Sequence, residues 1–308
     1  MRRHNMFQLA TGCFFAAAAT FAAADASSAP REVTPNGPGL AGVYGSQMAN
    51  SVEFLSTGDS IKSASVSGAP TLIWQTLEHG EKIDCLDCIG FVSPLLYDAN
   101  AKNREIAAWW LRRRILGVFG PGEVYQQTQQ TLQSDSDPVK RSYAAYALGE
   151  FLAAPGVPTC AVAVVADGDA RVRAAAASAL GRLNSDGNGA LGKAMGDSDP
   201  TVRLAALASA GRINTFSTIS AAAALTTDVS SDVRRRAIEV LDALDASDTL
   251  AAVAAAAQND TDAGVRAVAC HALGTFGNSS VLPLLTTLST NDPDVFVQDQ
   301  ATIAIQRL

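Results

Sequence analysis

The chain has 308 residues and a formal net charge of −7, and it is 48% hydrophobic but only 6% aromatic. Alanine supplies much of the apolar content, so a core must be built by close approach of helix backbones rather than by large side chains. The acidic balance argues against non-specific nucleic-acid binding, which needs clustered Lys and Arg to displace counterions.

Arg2, Arg3 and His4 form a short basic stretch, and Met6 to Ala24 is an apolar run rich in Ala and Phe. Ala22-Ala23-Ala24 and Ala24-Asp25-Ala26 offer small-residue cleavage sites, so residues 1–26 read as a secretory signal peptide. The competing reading is an uncleaved anchor, because the run is close to the about 17–25 residues that a span needs. Gln8, Thr11 and Gly12 interrupt it. No later segment is long and apolar enough to span a bilayer, so no stable membrane span is expected after cleavage. The expected location is exported, either periplasmic or extracellular.

Residues 27–68 are rich in Ser, Ala, Gly and Pro, a composition that buries too little surface to fold alone. They read as a flexible tether or an extended segment lying on the fold, with Ser51-Val-Glu-Phe-Leu55 as a candidate docking strand.

Residues 69–122 carry the unusual chemistry. Cys85 and Cys88 form a C-x-x-C pair, which in an exported protein is expected to be oxidised. The plain reading is a structural disulfide that staples a helix end. The alternative is a redox centre, which requires an electropositive surround, whereas Asp84 and Asp87 flank the pair and disfavour a thiolate. Covalent haem is excluded because Ile89 stands where a histidine is required. Zinc needs further ligands, and Cys160 and Cys270 fall where buried, free thiols are expected.

The same region is dense in bulky residues, with Phe91, Leu95, Leu96, Tyr97, Trp109, Trp110, Phe119 and Tyr125 beside Arg112-Arg113-Arg114. One reading is an end-of-fold core over which the arginines snorkel. The other is a docking surface, because aromatic and Arg residues mark interface hot spots. Trp109 and Trp110 point about 100° apart on a helix, so burying both needs contacts on two sides. Trp109, Trp110, Arg112, Arg113 and Arg114 are therefore candidate partner-binding residues.

From residue 123 a period emerges. Six segments align at 135–149, 167–181, 197–211, 228–242, 260–274 and 290–304, with an anchor position at Arg141, Arg173, Arg203, Arg234, Arg266 and Phe296. The spacings are 32, 30, 31, 32 and 30. A turn aspartate (Asp137, Asp169, Asp199, Asp262, Asp292) is placed to accept unpaired N–H groups at a helix start. Pro138, Pro200 and Pro293 suit a first helical turn. Gly149, Gly181 and Gly274 are expected to end the helix in a left-handed conformation. Shorter amphipathic stretches at 123–132, 158–165, 190–195, 217–225, 250–257 and 281–288 supply a first helix to each unit.

This D-x-D-x-x-V-R…A-L-G pattern resembles the HEAT-repeat family, and in particular its short phycobilisome-lyase-type version. The resemblance implies an all-α fold, an α-solenoid of about six to seven HEAT-like helix pairs, with the regular array over 123–308. It implies that anchor Arg and turn Asp form a ladder between neighbouring repeats. Ser230 and Phe296 depart from it, standing where Asp and Arg are expected. Residues 98–117 look like one more, degenerate copy with Arg104 as anchor and a first helix over 71–96, and Gly117–Gly122 breaks it from the array. The polar last helix, with Gln298, Asp299, Gln300, Gln306 and Arg307, suits a terminal cap.

Some HEAT-repeat proteins are enzymes. Deoxyhypusine hydroxylases hold two irons on His-Glu pairs, but none of His4, His79 and His271 is followed by Glu. The D-x-D turns lack the Gly and Glu of a calcium loop. No catalytic residue, metal or cofactor is assigned. The expected function is a non-catalytic scaffold or adaptor that binds a protein partner. The alternatives are an accessory redox protein using Cys85 and Cys88, or a lyase-like enzyme of the bilin lyase type.

Overall fold

The computed structural model describes residues 57–117, 120–184, 187–213 and 215–308. The signal-peptide reading over 1–26, the run at 51–55 and Phe119 lie outside the described residues. Among those described, the chain is all-helical apart from one two-residue pairing.

The N-terminal part begins earlier than the composition suggests. Helix α1 (Gly58–Ser65) starts on a capping box. The Ser60 amide donates to Thr57 Oγ1 at 3.1 Å, and the Thr57 amide donates back to Ser60 Oγ at 3.2 Å. Ile61 and Ala64 are buried beneath it, so this part of the Ser/Gly-rich stretch folds because two apolar residues share one helix face.

The expected single helix over 71–96 is instead broken. It comprises α2 (Pro70–His79), a turn bearing the two cysteines, α3 (Ile89–Val92) and a 3-10 turn at Ser93–Tyr97. The carbonyls beyond His79 are taken by the next helix, α4 (Ala101–Leu111), and the turn after it. Trp110 Nε1 donates to Gly80 O at 3.0 Å, and Arg114 Nη2 donates to Ile83 O at 2.9 Å. Around the break, β1 (Leu116–Gly117) pairs antiparallel with β2 (Gly120–Pro121).

Six helix pairs follow. The first helices are α5 (Glu123–Ser134), α7 (Val157–Ala166), α9 (Asn188–Ala194), α11 (Ile219–Ala224), α13 (Leu250–Asn259) and α15 (Leu282–Asn291). The second helices are α6 (Pro138–Glu150), α8 (Ala170–Leu183), α10 (Pro200–Ala210), α12 (Ser231–Ala243), α14 (Ala263–Phe276) and α16 (Val295–Ile305). Second helices pack on one another more closely than first helices do, which makes their row the inner side of the array.

That close packing corrects the reading of the glycines. Gly149, Gly181 and Gly274 lie inside their helices, not at left-handed ends. A Cβ on Gly149 would sit 2.8 Å from Ala179 Cα, one on Gly181 2.7 Å from Ser209 Cβ, and one on Gly274 2.7 Å from Ala304 Cα. Each glycine is the point where a second helix meets the next. Left-handed backbone comes past the helix ends, at Leu152, Asn184, Asp245 and Gly277, with φ of 53°, 41°, 50° and 63°.

Candidate functional site

The recurring charges divide their work. The second aspartate of each D-x-D turn caps its own helix. Asp137 Oδ1 accepts from Val139 N at 2.8 Å, Asp169 from Arg171 N at 2.9 Å, Asp199 from Thr201 N at 2.8 Å and Asp262 from Val265 N at 3.1 Å. The first aspartate receives the anchor arginine of the preceding repeat. Arg141 bonds Asp167 through Nε and Nη2 at 2.8 and 2.9 Å, and Arg173 bonds Asp197 at 2.6 and 2.8 Å. Arg203 meets Asp228 at 2.7 Å, Arg234 meets Asp260 at 2.6 Å, and Arg266 bonds Asp292 at 2.8 Å through both nitrogens.

The ladder therefore does not use Asp137, Asp169, Asp199 or Asp262, because their oxygens are committed to helix starts. Each arginine also donates Nη1 to the carbonyl six residues before it, as Arg141 does to Asp135 O at 2.8 Å. For Asp197 and Asp292 the arginine bond holds the carboxyl below its usual range. For Asp167 and Asp260 burial pushes upward, but the bonds from Arg141 and Arg234, with backbone donors, outweigh it.

The last repeat is in a different register from the one its sequence suggests. Asp294, not Asp292, caps α16, accepting from Phe296 N at 2.9 Å. Gln298 then occupies the anchor position and donates to Asp292 O at 2.7 Å. Phe296 is not an anchor equivalent; it is 59% exposed. Glutamine keeps the carbonyl bond without the charge. At the other end Arg104 donates to Asp98 O and Ala99 O at 2.6 and 2.9 Å, and its guanidinium stacks 3.9 Å from the Tyr143 ring centroid.

The expected docking cluster is only partly a surface. Trp110 is fully buried, and Arg114 lies 3.6 Å over its ring while donating to Trp110 O at 2.7 Å and to three carbonyls of residues 80–83. Both are removed from any interface, because their polar groups are spent holding α2 to α4. Burial lowers the Arg114 pKa, with Asp84 opposing. Arg113 is exposed and paired with Glu81 at 2.7 Å. Trp109 and Arg112 are half-buried.

Cys85 and Cys88 are bonded, with sulfurs 2.04 Å apart. Cys88 is fully buried and Cys85 half-buried. Cys88 Sγ lies 3.4 Å from Gly58 O, and a Cβ on Gly58 would come within 3.1 Å of Cys85 Sγ, so the start of α1 rests on this pair. Cys160 and Cys270 are free and buried, and burial pushes both thiols up to about 12. Among the described residues, no three His, Cys, Asp or Glu side chains converge as a metal site, and no helix is long and apolar enough to cross a membrane.

A family model described as HEAT repeats matches residues 125–190, 161–228 and 219–306. The chain belongs to the HEAT-repeat family. The helix pairs α5–α16 are its HEAT repeats, and residues 57–122 precede the matched span. No curated protein matches the chain. Among solved structures, YibA of Escherichia coli is 18% identical with a TM-score of 0.57, over 89% of this chain and 99% of that one. Kap95p, from a complex with RanGDP, is 15% identical with a TM-score of 0.58, over 83% of this chain and 41% of that one. The CpcE–CpcF phycocyanin lyase complex of Nostoc sp. PCC7120 is 19% identical with a TM-score of 0.39, over 71% and 92%. At these identities the likeness is one of fold.

With the HEAT repeats in place, two features stand out. The first is a set of cation–aromatic contacts towards the N-terminal end. Lys102 lies 5.1 Å from the Trp74 ring, Arg104 stacks on Tyr143, and Arg182 lies 5.5 Å from the Tyr146 ring while paired with Glu150. The second is a cleft of about 270 Å³ between α12, α14 and α16, lined by Glu239, Asp242, Val268, His271, Phe296 and Gln300. Sequence reasoning missed both. The cleft had a signal: Asp242 stands where α6, α8 and α14 have glycine. Two larger grooves, of about 660 and 600 Å³, lie along first helices at equivalent places beside Arg141–Asp167 and Arg266–Asp292. These are relief produced by the repeat, and their charged groups are already paired within the ladder.

Proposed function

We propose that this HEAT-repeat chain is an exported, non-catalytic scaffold that holds a protein partner on its second-helix face. The observation that carries the reading is the pair Tyr143 and Tyr146 on α6, in contact with Arg104 and Arg182, with Trp74 of α2 beneath Lys102 at the N-terminal end. Half-buried aromatic rings backed by arginine have the composition of interface hot spots. Arg104 and Arg182 are themselves bonded, to Asp98 O, Ala99 O and Glu150, so the part-exposed rings are the groups left for a partner. Export is supported by the basic, apolar and small-residue succession over 1–26 and by the bonded Cys85–Cys88 pair, since disulfides persist in oxidising compartments.

The test places a photo-cross-linking residue at Tyr146 on the inner face and, separately, at Val162 on the outer face, in cells producing the full chain. A discrete adduct from position 146 but not 162, recovered from the exported fraction, is expected. Equal adducts from both positions, or none from 146, overturn the binding face. Retention of the full chain in the cytoplasm overturns export.

A further inference from the structure

We propose that the cleft between α12, α14 and α16 is a receptor for the cationic side chain, Lys or Arg, of a bound polypeptide. The inference rests on the scaffold reading and names the chemistry that one part of that face recognises. It begins from the sequence rule that Asp242 breaks. Glycine at the equivalent place in α6, α8 and α14 lets the following helix approach to contact. In α12 that place is taken by a carboxylate, and a cleft lies beside it.

The charge in the cleft is only half answered. Asp242 Oδ2 lies 3.1 Å from His271 Nδ1, and His271 Nε2 lies 3.1 Å from Arg307 Nη1. A guanidinium only donates, so Nε2 accepts and the imidazole proton sits on Nδ1, directed at Asp242. The histidine is thus neutral in this arrangement and contributes one hydrogen bond rather than a positive charge. Asp242 Oδ1 is buried with no hydrogen-bond partner. Glu239 is held by Arg236 at 2.9 Å, but no Lys or Arg is among the lining residues; Arg307 reaches the cleft only through His271.

A carboxylate with one unanswered oxygen, screened from water, leaves a negative potential at the cleft that a cation relieves. Phe296, capped by Asp294 and 59% exposed, stands at the rim as a face for a guanidinium or ammonium group. Val268 and Ala267 offer an apolar wall to the side-chain stem. The volume, about 270 Å³, suits one side chain rather than a helix or a drug-sized ligand.

The test titrates the full chain with Nα-acetyl-arginine methylamide, the lysine analogue and the uncharged citrulline analogue, following the amide and methyl resonances of Val268, His271 and Phe296. Saturable shifts with the two cations, with Kd on the order of millimolar, are expected. Citrulline should produce none. Asp242→Asn should weaken cation binding at least tenfold, and Phe296→Ala several-fold, with unchanged thermal unfolding showing that each variant is folded. No saturable shift with either cation, equal response to citrulline, or undiminished binding by Asp242→Asn overturns the receptor. Such a failure leaves the cross-linking result at Tyr146 untouched, so the two readings fail separately.

Discussion

The N-terminal part, residues 57–122, and the HEAT array from α5 onward solve the same problem with different means. In the array, one device recurs: an arginine forks onto an aspartate of the next repeat while an adjacent aspartate caps the helix. In the N-terminal part only the Arg104 anchor and the Asp98–Asn100 turn repeat that device, and the remaining contacts are singular. Trp110 is sealed in with its N–H on Gly80 O, Arg114 gathers carbonyls from one turn, and a bonded cysteine pair supports the start of α1. A repeated device spreads stability over many equivalent contacts, so damage stays near one repeat. A set of singular contacts concentrates it, so loss of one member undoes the whole end.

The sharpest way to break this contrast is Trp110→Ala. It removes the largest fully buried side chain and the shorter of the two bonds to Gly80 O, so a loss of about 3–5 kcal/mol is expected. Hydrogen exchange should show α1–α4 opening while α8–α14 stay protected; uniform loss of protection would erase the distinction between the two regions. A rung of the ladder is next. Arg266→Ala leaves the nearly buried Asp292 unpaired, at a cost of roughly 3 kcal/mol, confined to α14–α16. The exposed pair Arg235–Asp232 is the control, and removing Arg235 should change stability by less than about 0.5 kcal/mol.

The ladder also fixes an acid limb. Asp197 and Asp292 have pKa values below the ordinary carboxylate range, so their contribution is complete above the unfolded pKa of about 4. It is lost as pH falls through the lower folded values. Urea midpoints measured from pH 5 downward should fall, and Arg266→Ala should fall less steeply, because one depressed carboxylate has been released.

Gly274→Ala tests the packing reading by its sign. In an ordinary helix interior alanine would stabilise by about 1 kcal/mol. Here its Cβ meets Ala304 Cα, so a loss of about 1–3 kcal/mol is expected in urea unfolding. A gain would return these glycines to a conformational role. A smaller effect, and a gain, should come from Ser230→Asp. Ser230 begins α12 without a side-chain cap bond, whereas Asp137, Asp169 and Asp199 each accept one. Supplying that acceptor should raise the midpoint by the equivalent of about 0.5–1 kcal/mol.

Several corrections share one cause. The periodic alignment set Phe296 beneath the arginines because it counted spacing alone. The cap at Asp294 places Gln298 at the anchor, 32 residues after Arg266, a spacing the array already uses between Arg141 and Arg173. Trp110 and Arg114 looked like interface residues because composition does not say which face a side chain occupies. The Cys85–Cys88 pair was visible, but the contact with Gly58 joins residues about thirty positions apart and left no local trace.

The sequence by itself determined the helix pairs, the position of most caps and the identity of the repeat, because those depend on neighbours within a few residues or on a period that one chain displays. Tertiary structure decided which aspartate caps and which joins repeats, why glycine interrupts the second helices, and where the inner face opens. Those are questions of distance between helices about thirty residues apart in sequence. Whether a side chain is spent or available is settled only when the neighbouring repeat is in place, and that is what separates Trp110 from Tyr143 and Asp167 from Asp242.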